Sequence, residues 1–155
     1  MVTYSDLLQA KFKYNGRGED NCFDCYGLCM EVSRRMGKEL PSITTPNGMI
    51  NMQNRIRLEA DRQTEWFPVP PSDGTWGTIE GVTHTGSTQL FGIKEGAIAY
   101  FRVKGLLAHV GIVIAPDRFI HAWEKAGGVC VERLSLWRSR LVGIYEHKSY
   151  SGKSD

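Results

Sequence analysis

Three of the four cysteines fall within eight positions, in the stretch "CFDCYGLCMEV" at residues 22–32. A thiol becomes a good nucleophile only when it loses its proton, and a helix N-terminus assists by offering partial positive charge and unpaired N–H groups. Asp24 reads as the N-cap of a helix in which Cys25, Leu28, Cys29, Val32 and Met36 recur at i, i+3, i+4, i+7 and i+11. Cys25 therefore lies in the first helical turn and is the candidate nucleophile, in a position that favours a thiolate. Cys29, one turn deeper on the apolar stripe, reads as a packed core residue, Cys22 as a loop thiol, and Cys130 within "GVCVERL" as a packed strand residue. Two other readings stay open. Cys22, Cys25, Cys29 and Cys130 could form a four-thiolate zinc site, and Cys25 could simply be buried, as free cysteines often are.

A nucleophile needs a base, and four histidines are available. His84 sits in the polar stretch "GVTHTGST" and His147 near the C-terminal tail, where solvated side chains are expected. His109 opens "HVGIVI" and His121 closes "RFIHA", with "APD" turning the chain between them. A hairpin brings both to one end of a sheet. That arrangement suits acyl transfer in which Cys25 attacks, His109 takes and returns the proton, and His121 fixes the imidazole of His109. The two histidines share a face only if opposed residue numbers sum to an even value, because strand side chains alternate. A tight two-residue turn at Pro116 and Asp117 would separate them. An odd loop or a bulge around "IAPDR" is therefore expected, with the histidines directly or diagonally opposed and Cys25 packed against their face.

The elements that must hold these residues read as α+β. "TYSDLLQAKF" predicts a short amphipathic helix capped at Ser5 and turning Leu7, Leu8 and Phe12 inward, and the Cys25 helix ends near Gly37 before Pro41. Residues 47–62 can form a further helix, and "WFPVPPSDGTWGTIEGVTHTGSTQ" reads as loop with two short strands. From Gly96 onward, "AIAYFRV", "AHVGIVI", "RFIHAW", "GVCVERL" and "LVGIYEH" are short β-branched or aromatic runs that predict an antiparallel meander. Helices come first and sheet second.

With 155 residues and 41% hydrophobic content, one domain over residues 1–155 is expected, with residues 41–95 an insertion or variable segment. A net charge of +2 argues against a nucleic-acid binder. No window approaches the apolar length of a membrane span, and the N-terminal residues lack a signal-peptide pattern, so synthesis in the cytoplasm with reduced thiols is expected. Export by another route would follow if the protein acts outside the cell.

These residues resemble the NlpC-type papain-like cysteine peptidases that cut bacterial cell-wall peptides. "FDCYGLCMEV" is similar to that family's nucleophile motif at the start of a helix, "AHVGIVIAPDRFIHA" to its histidine hairpin, "KYNGRG" to the aromatic and glycine segment before the cysteine, and "IKEGAIAYF" to the strand entering the hairpin. The likeness covers residues 11–40 and 93–146. It implies a papain-like fold, N-terminal helices packed on an antiparallel sheet, with Cys25 as nucleophile, His109 as base and His121 as orienting residue. It also places Tyr14 as an aromatic group lining the site near the oxyanion, with plain core packing as the alternative. Tyr26 stands where the family usually has a small serine and could reshape the substrate pocket, while Ala97 replaces a common aspartate. The implied activity is hydrolysis of an amide in peptidoglycan stem peptides, after D-glutamate, through a thioester, with no metal or cofactor and no nucleic-acid or membrane partner. A phage tail or lysis protein, or an effector passed through a secretion apparatus, is the expected setting. The alternatives are a non-catalytic tail or assembly component and a cysteine acyltransferase or amidase on the same fold.

Overall fold

The apolar stripe after Asp24 does form the α-helix that its spacing predicts. In the computed structural model, which describes residues 3–40, 66–68, 93–103 and 106–147, α1 spans Cys25–Arg35 and the Asp24 carboxylate accepts from the Gly27 N–H. The helix ends at Gly37, whose φ of 81° suits glycine. There the Lys38 N–H donates to the Ser33 carbonyl and the Gly37 N–H to the Arg34 carbonyl, which satisfies carbonyls that the helix end leaves without partners.

The expected first helix is different. Residues Ser5–Gln9 form a short 3-10 turn without a side-chain cap, and Lys11–Phe12 form strand β1. Leu7 is buried, but Leu8 is 47% exposed. Sheet pairing claims the end of the segment: Lys11 and Phe12 pair in parallel with Cys22 and Phe23 of β2 (Cys22–Phe23), and Lys11 also pairs with Gly128. Any Cβ at position 128 would meet the Ala10 carbonyl. Among the described residues α1 is accompanied only by short 3-10 turns, so the fold is mixed α/β with few helices. The helix expected at 47–62 and His84 lie outside the described residues.

The remaining strands are β3 (Trp66–Pro68), β4 (Ile98–Val103), β5 (Leu106–Ala115), β6 (Arg118–Trp123), β7 (Gly128–Glu132) and β8 (Leu141–His147). They form one eight-stranded sheet in the order β2-β1-β7-β6-β5-β4-β8-β3. The run β4 to β7 is the expected antiparallel meander, whereas β8 returns to the other side of β4 and places His147 opposite Trp66. No helix among the described residues is long and apolar enough to cross a membrane.

Alternation along the strands builds two apolar layers. Ile98, Tyr100, Val110, Ile112, Ile120 and Ala122 join Cys25, Leu28, Cys29 and Val32 of α1 in one cluster. Ala99, Phe101, Val113 and Phe119 join Leu134 and Trp137 of the 3-10 segment Leu134–Arg140 in the other. That second segment is fastened to the β5–β6 turn, because Asp117 accepts from both the backbone N–H and the hydroxyl of Ser135, each at 2.7 Å.

Candidate active site

The β5–β6 connection contains the expected bulge. Ile112 pairs with Ile120 and Val113 with Phe119, but Ala115 pairs with Arg118, which leaves Ile114 as the extra residue. Asp117 takes the left-handed conformation the turn requires, at φ 54°. The sums on the histidine side of the bulge are even, and extending that register opposes His121 to Gly111, diagonal to His109. Both histidines consequently project from one face, with His109 Nε2 2.6 Å from His121 Nδ1. Gly111 makes this approach possible: a Cβ there would lie 2.6 Å from Phe119 Cδ2 and 3.2 Å from His121 Cβ.

A further residue, Glu132, completes the row. Its Oε2 lies 2.7 Å from His121 Nε2. A carboxylate only accepts, so His121 Nε2 carries the proton; its Nδ1 then accepts from His109 Nε2. By elimination, the lone pair of His109 is on Nδ1, the nitrogen remote from His121. The carboxylate thus fixes both tautomers, as an orienting acid does for a catalytic imidazole. In the sequence nothing local singles out Glu132 within "GVCVERL". It could have been found from the β6–β7 register, in which His121 pairs with Cys130 and residue 132 follows on the same face.

The histidines are sealed in an aromatic box. His109 is 1% and His121 0% exposed. Their rings lie 4.8 Å apart, with Trp123 4.8 Å from His109 and Trp137 5.1 Å from His121. Burial, with the neighbouring His121 charge, holds the His109 imidazole well below its ordinary value. Burial also lowers His121 to about 4, against the pull of Glu132. Both rings are neutral near pH 7, the form in which His109 can take a proton.

Cys25 packs with residues that alternate with the histidines along β5 and β6. It was expected against the histidine face, but its side chain belongs to the cluster of Val110, Ile112, Ile120 and Ala122. The backbone N–H of Val110, the residue after His109, favours the charged form of its sulfur, as do those of Tyr26 and Cys25 itself. At this level β5 and β6 pair with their outer neighbours: His109, Val110 and Gly111 with β4, and His121, Ala122 and Trp123 with β7. The β5–β6 ladder runs only as far as Ile112 and Ile120, so the thiol meets the sheet where these strands part.

The position does not yield a resting thiolate. Burial, followed by the negative charge of Asp24, pushes the Cys25 thiol up to about 12. Those two costs outweigh the N–H groups at the helix start. Cys29, also buried, is pushed well above its ordinary value by burial, then by Cys25 and Asp24.

Asp24 does more than cap α1. It is 1% exposed, and its oxygens accept from the Asn15 N–H at 2.8 Å and from Arg17 at 2.9 Å as well as from Gly27 at 2.7 Å. These bonds dock the loop carrying Tyr14 over the helix start. Gly27 is part of that fit, since a Cβ there would collide with the Gly16 carbonyl. Tyr14 is 43% exposed, which sets aside the core-packing alternative. Its hydroxyl bonds to Glu124, which with burial raises its pKa, and Cys25 is close enough to add to the effect. Tyr26 is 2% exposed, with the Arg17 guanidinium 5.9 Å from its ring centre. It is a core residue whose backbone N–H faces the thiol.

The four-thiolate arrangement is not assembled: Cys130 Sγ lies 3.4 Å from His121 Nε2, on the histidine side, whereas Cys25 and Cys29 belong to the α1 cluster. All four cysteines are reduced.

The model of the NlpC/P60 family matches residues 9–146. Among solved structures, NlpC2 from Trichomonas vaginalis is similar with a TM-score of 0.53 at 14% identity, over 87% of this chain and 40% of that one. A lipoprotein-like member of the NLP/P60 family from Staphylococcus aureus has a TM-score of 0.51 at 18% identity, over 94% of this chain and 40% of that one. The chain thus spans about two fifths of each, and the likeness is one of fold. No curated protein sequence matched.

Proposed function

The chain belongs to the NlpC/P60 family, generally one of cell-wall peptidases and hydrolases, and from that premise we propose that it is a papain-like cysteine hydrolase of peptidoglycan stem peptides, cleaving the amide that follows D-glutamate. The observation that carries this reading is the row Glu132–His121–His109, which leaves His109 Nδ1 as the proton acceptor. Cys25 and His109 are both neutral at rest. His109 therefore removes the proton as sulfur attacks, rather than storing an imidazolium beside a thiolate.

In the first half-reaction the Cys25 sulfur bonds to the acyl carbon and its proton passes to His109 Nδ1. The oxyanion is held by N–H groups around the thiol, those of Cys25, Tyr26 and Val110 being the candidates, with Tyr14 at the rim of the cleft. His109 returns the proton to the leaving nitrogen as the C–N bond breaks, leaving a thioester. Water then attacks the thioester, His109 takes its proton, and the C–S bond breaks as the thiol is restored. The same site would act as an acyltransferase if an amine replaced water. Its place of action is the cell wall, reached as a virion component or through a secretion apparatus.

Incubating the protein with purified sacculi and identifying the released peptides by mass spectrometry tests this. Fragments ending in D-glutamate are expected from the wild type and none from Cys25→Ala, with unchanged circular dichroism. Release by Cys25→Ala would remove the nucleophile. The burial of Cys25, 2% exposed, favours a second reading, a non-catalytic binding module. Intact sacculi retained on the protein without any released fragment would establish it.

A further inference from the structure

Cys130 has no part in that chemistry, yet its sulfur lies 3.4 Å from His121 Nε2 and 3.8 Å from Glu132 Oε2. We infer that His121, Cys130 and Glu132 form a binding site for a borderline-soft divalent cation, Zn2+ above all, and that filling it switches the histidine row off. Among the described residues this is the one place where three such ligands converge, all three atoms lying within 4.8 Å of one another. Tetrahedral zinc needs donors about 3.3 Å apart for a nitrogen–oxygen pair and about 3.6 Å apart for sulfur with either. The sulfur distances already bracket that value, and only the His121–Glu132 pair, at 2.7 Å, must open slightly.

The backbone accounts for the convergence. His121 and Cys130 are directly paired on β6 and β7, and Glu132 follows Cys130 on the same face of its strand. The set is a nitrogen, a sulfur and an oxygen, a mixture that suits zinc better than magnesium or calcium. Access exists as well. An open hollow of about 690 Å³ reaches Cys130 and Glu132 between Trp123 and Trp137, with Lys125 and Arg140 at its edge. Water from this hollow can supply the fourth ligand. Binding the metal displaces the Cys130 thiol proton, as thiolate ligation ordinarily does.

The effect on the row follows from counting protons. In the active arrangement both imidazoles carry hydrogen on Nε2. A cation on His121 Nε2 moves that ring's proton to Nδ1, where it donates to His109 Nε2. His109 must then carry its own proton on Nδ1, the atom that should accept from Cys25. Each ring remains neutral and keeps one proton, but the base nitrogen is occupied. The inhibitory consequence rests on the hydrolase reading; the binding does not.

A cobalt titration of the Cys25→Ala protein separates the two. The expected result is a thiolate-to-cobalt charge-transfer band with tetrahedral d–d absorption, saturating at one equivalent and abolished by adding Cys130→Ser. No band, or a band that survives Cys130→Ser, overturns the site even if sacculi are hydrolysed. In the otherwise wild-type protein, buffered Zn2+ should suppress sacculus hydrolysis reversibly with respect to chelator. Cys130→Ser should raise the half-inhibitory concentration at least tenfold, each protein compared with its own metal-free rate. Equal sensitivity would overturn the switch and locate inhibition elsewhere. Should the wild type not hydrolyse sacculi at all, the cobalt bands still decide the site while the hydrolase reading falls.

Discussion

Glu132 accepts a hydrogen bond from His121 at 2.7 Å, from a strand position two residues beyond the one that pairs with it. Because this carboxylate fixes two imidazoles, its loss should be felt at His109, which it does not touch. Glu132→Ala is expected to lower kcat by about tenfold to a hundredfold with KM little changed, and Glu132→Gln, whose amide oxygen can still accept, should recover part of the loss. Stem-peptide hydrolysis measured at saturating and limiting substrate checks this. An effect confined to KM would assign Glu132 to substrate binding instead.

Gly111 is the second lever on the same row. An alanine there would place its Cβ 2.6 Å from the Phe119 ring and 3.2 Å from His121 Cβ, forcing β5 and β6 apart. Gly111→Ala should cost about 1–3 kcal/mol, in the range of core overpacking, and should depress kcat beyond what the fraction unfolded explains. Urea denaturation combined with rates below the transition tests both parts. An alanine variant of wild-type stability would show that the strands do not meet as closely as described.

The buried titrating groups set a window of pH stability. Unfolded imidazoles gain protons below about 6.5, but folded His121 resists until about 4, and burial holds His109 well below its ordinary value too. The unfolded state therefore binds more protons in this interval and stability falls with acid, by about 2–4 kcal/mol over the limb. The thiols act in the opposite direction: unfolded cysteines ionise near 9, whereas Cys25 holds its proton until about 12, so stability also falls above about pH 9. Urea midpoints across pH 4–11 should show a plateau between these limbs. A maximum near pH 5 would contradict the burial of the histidines as neutral rings.

Asp24 governs Cys25 through charge as well as through position. Asp24→Asn removes a negative charge that raises the Cys25 thiol, so alkylation of Cys25 by iodoacetamide at pH 8 should become faster. The change also breaks the ion pair with Arg17 and should cost about 1–3 kcal/mol through poorly paired buried groups. Peptide mapping of the alkylated protein under fully folded conditions distinguishes the two effects. Unchanged or slower labelling would show that Asp24 matters only as a cap.

Several of these relationships were legible in the sequence. The stripe from Cys25 to Met36 and the cap at Asp24 announced α1, because the signal lasts three turns and has a marked start. The side-chain parity of His109 and His121 called for an odd loop or a bulge, and Ile114 supplies the bulge. Short segments were harder to read. Ser5–Gln9 contains too little periodicity to distinguish a 3-10 turn from a helix, and the parallel pairing of Lys11–Phe12 with Cys22–Phe23 joins residues with no local signal for it. Glu132 stayed hidden because its partner became apparent only with the β6–β7 register. The protonation of Cys25 departs from its sequence expectation for a related reason: sequence shows the helix start beneath the thiol but not the two strands that cover it.

That covering has a consequence for biosynthesis. Cys25 and Cys29 leave the ribosome well before the strands that bury them, β5 and β6. β4, which lies beside β5, gains its other neighbour only when β8 follows. Until then both thiols are open to oxidants and to mispairing with one another, since non-local strand pairing is slow to form. Closure of the sheet therefore protects both thiols chemically, and oxidative damage to them is concentrated in the interval between their own synthesis and that of the strands that cover them.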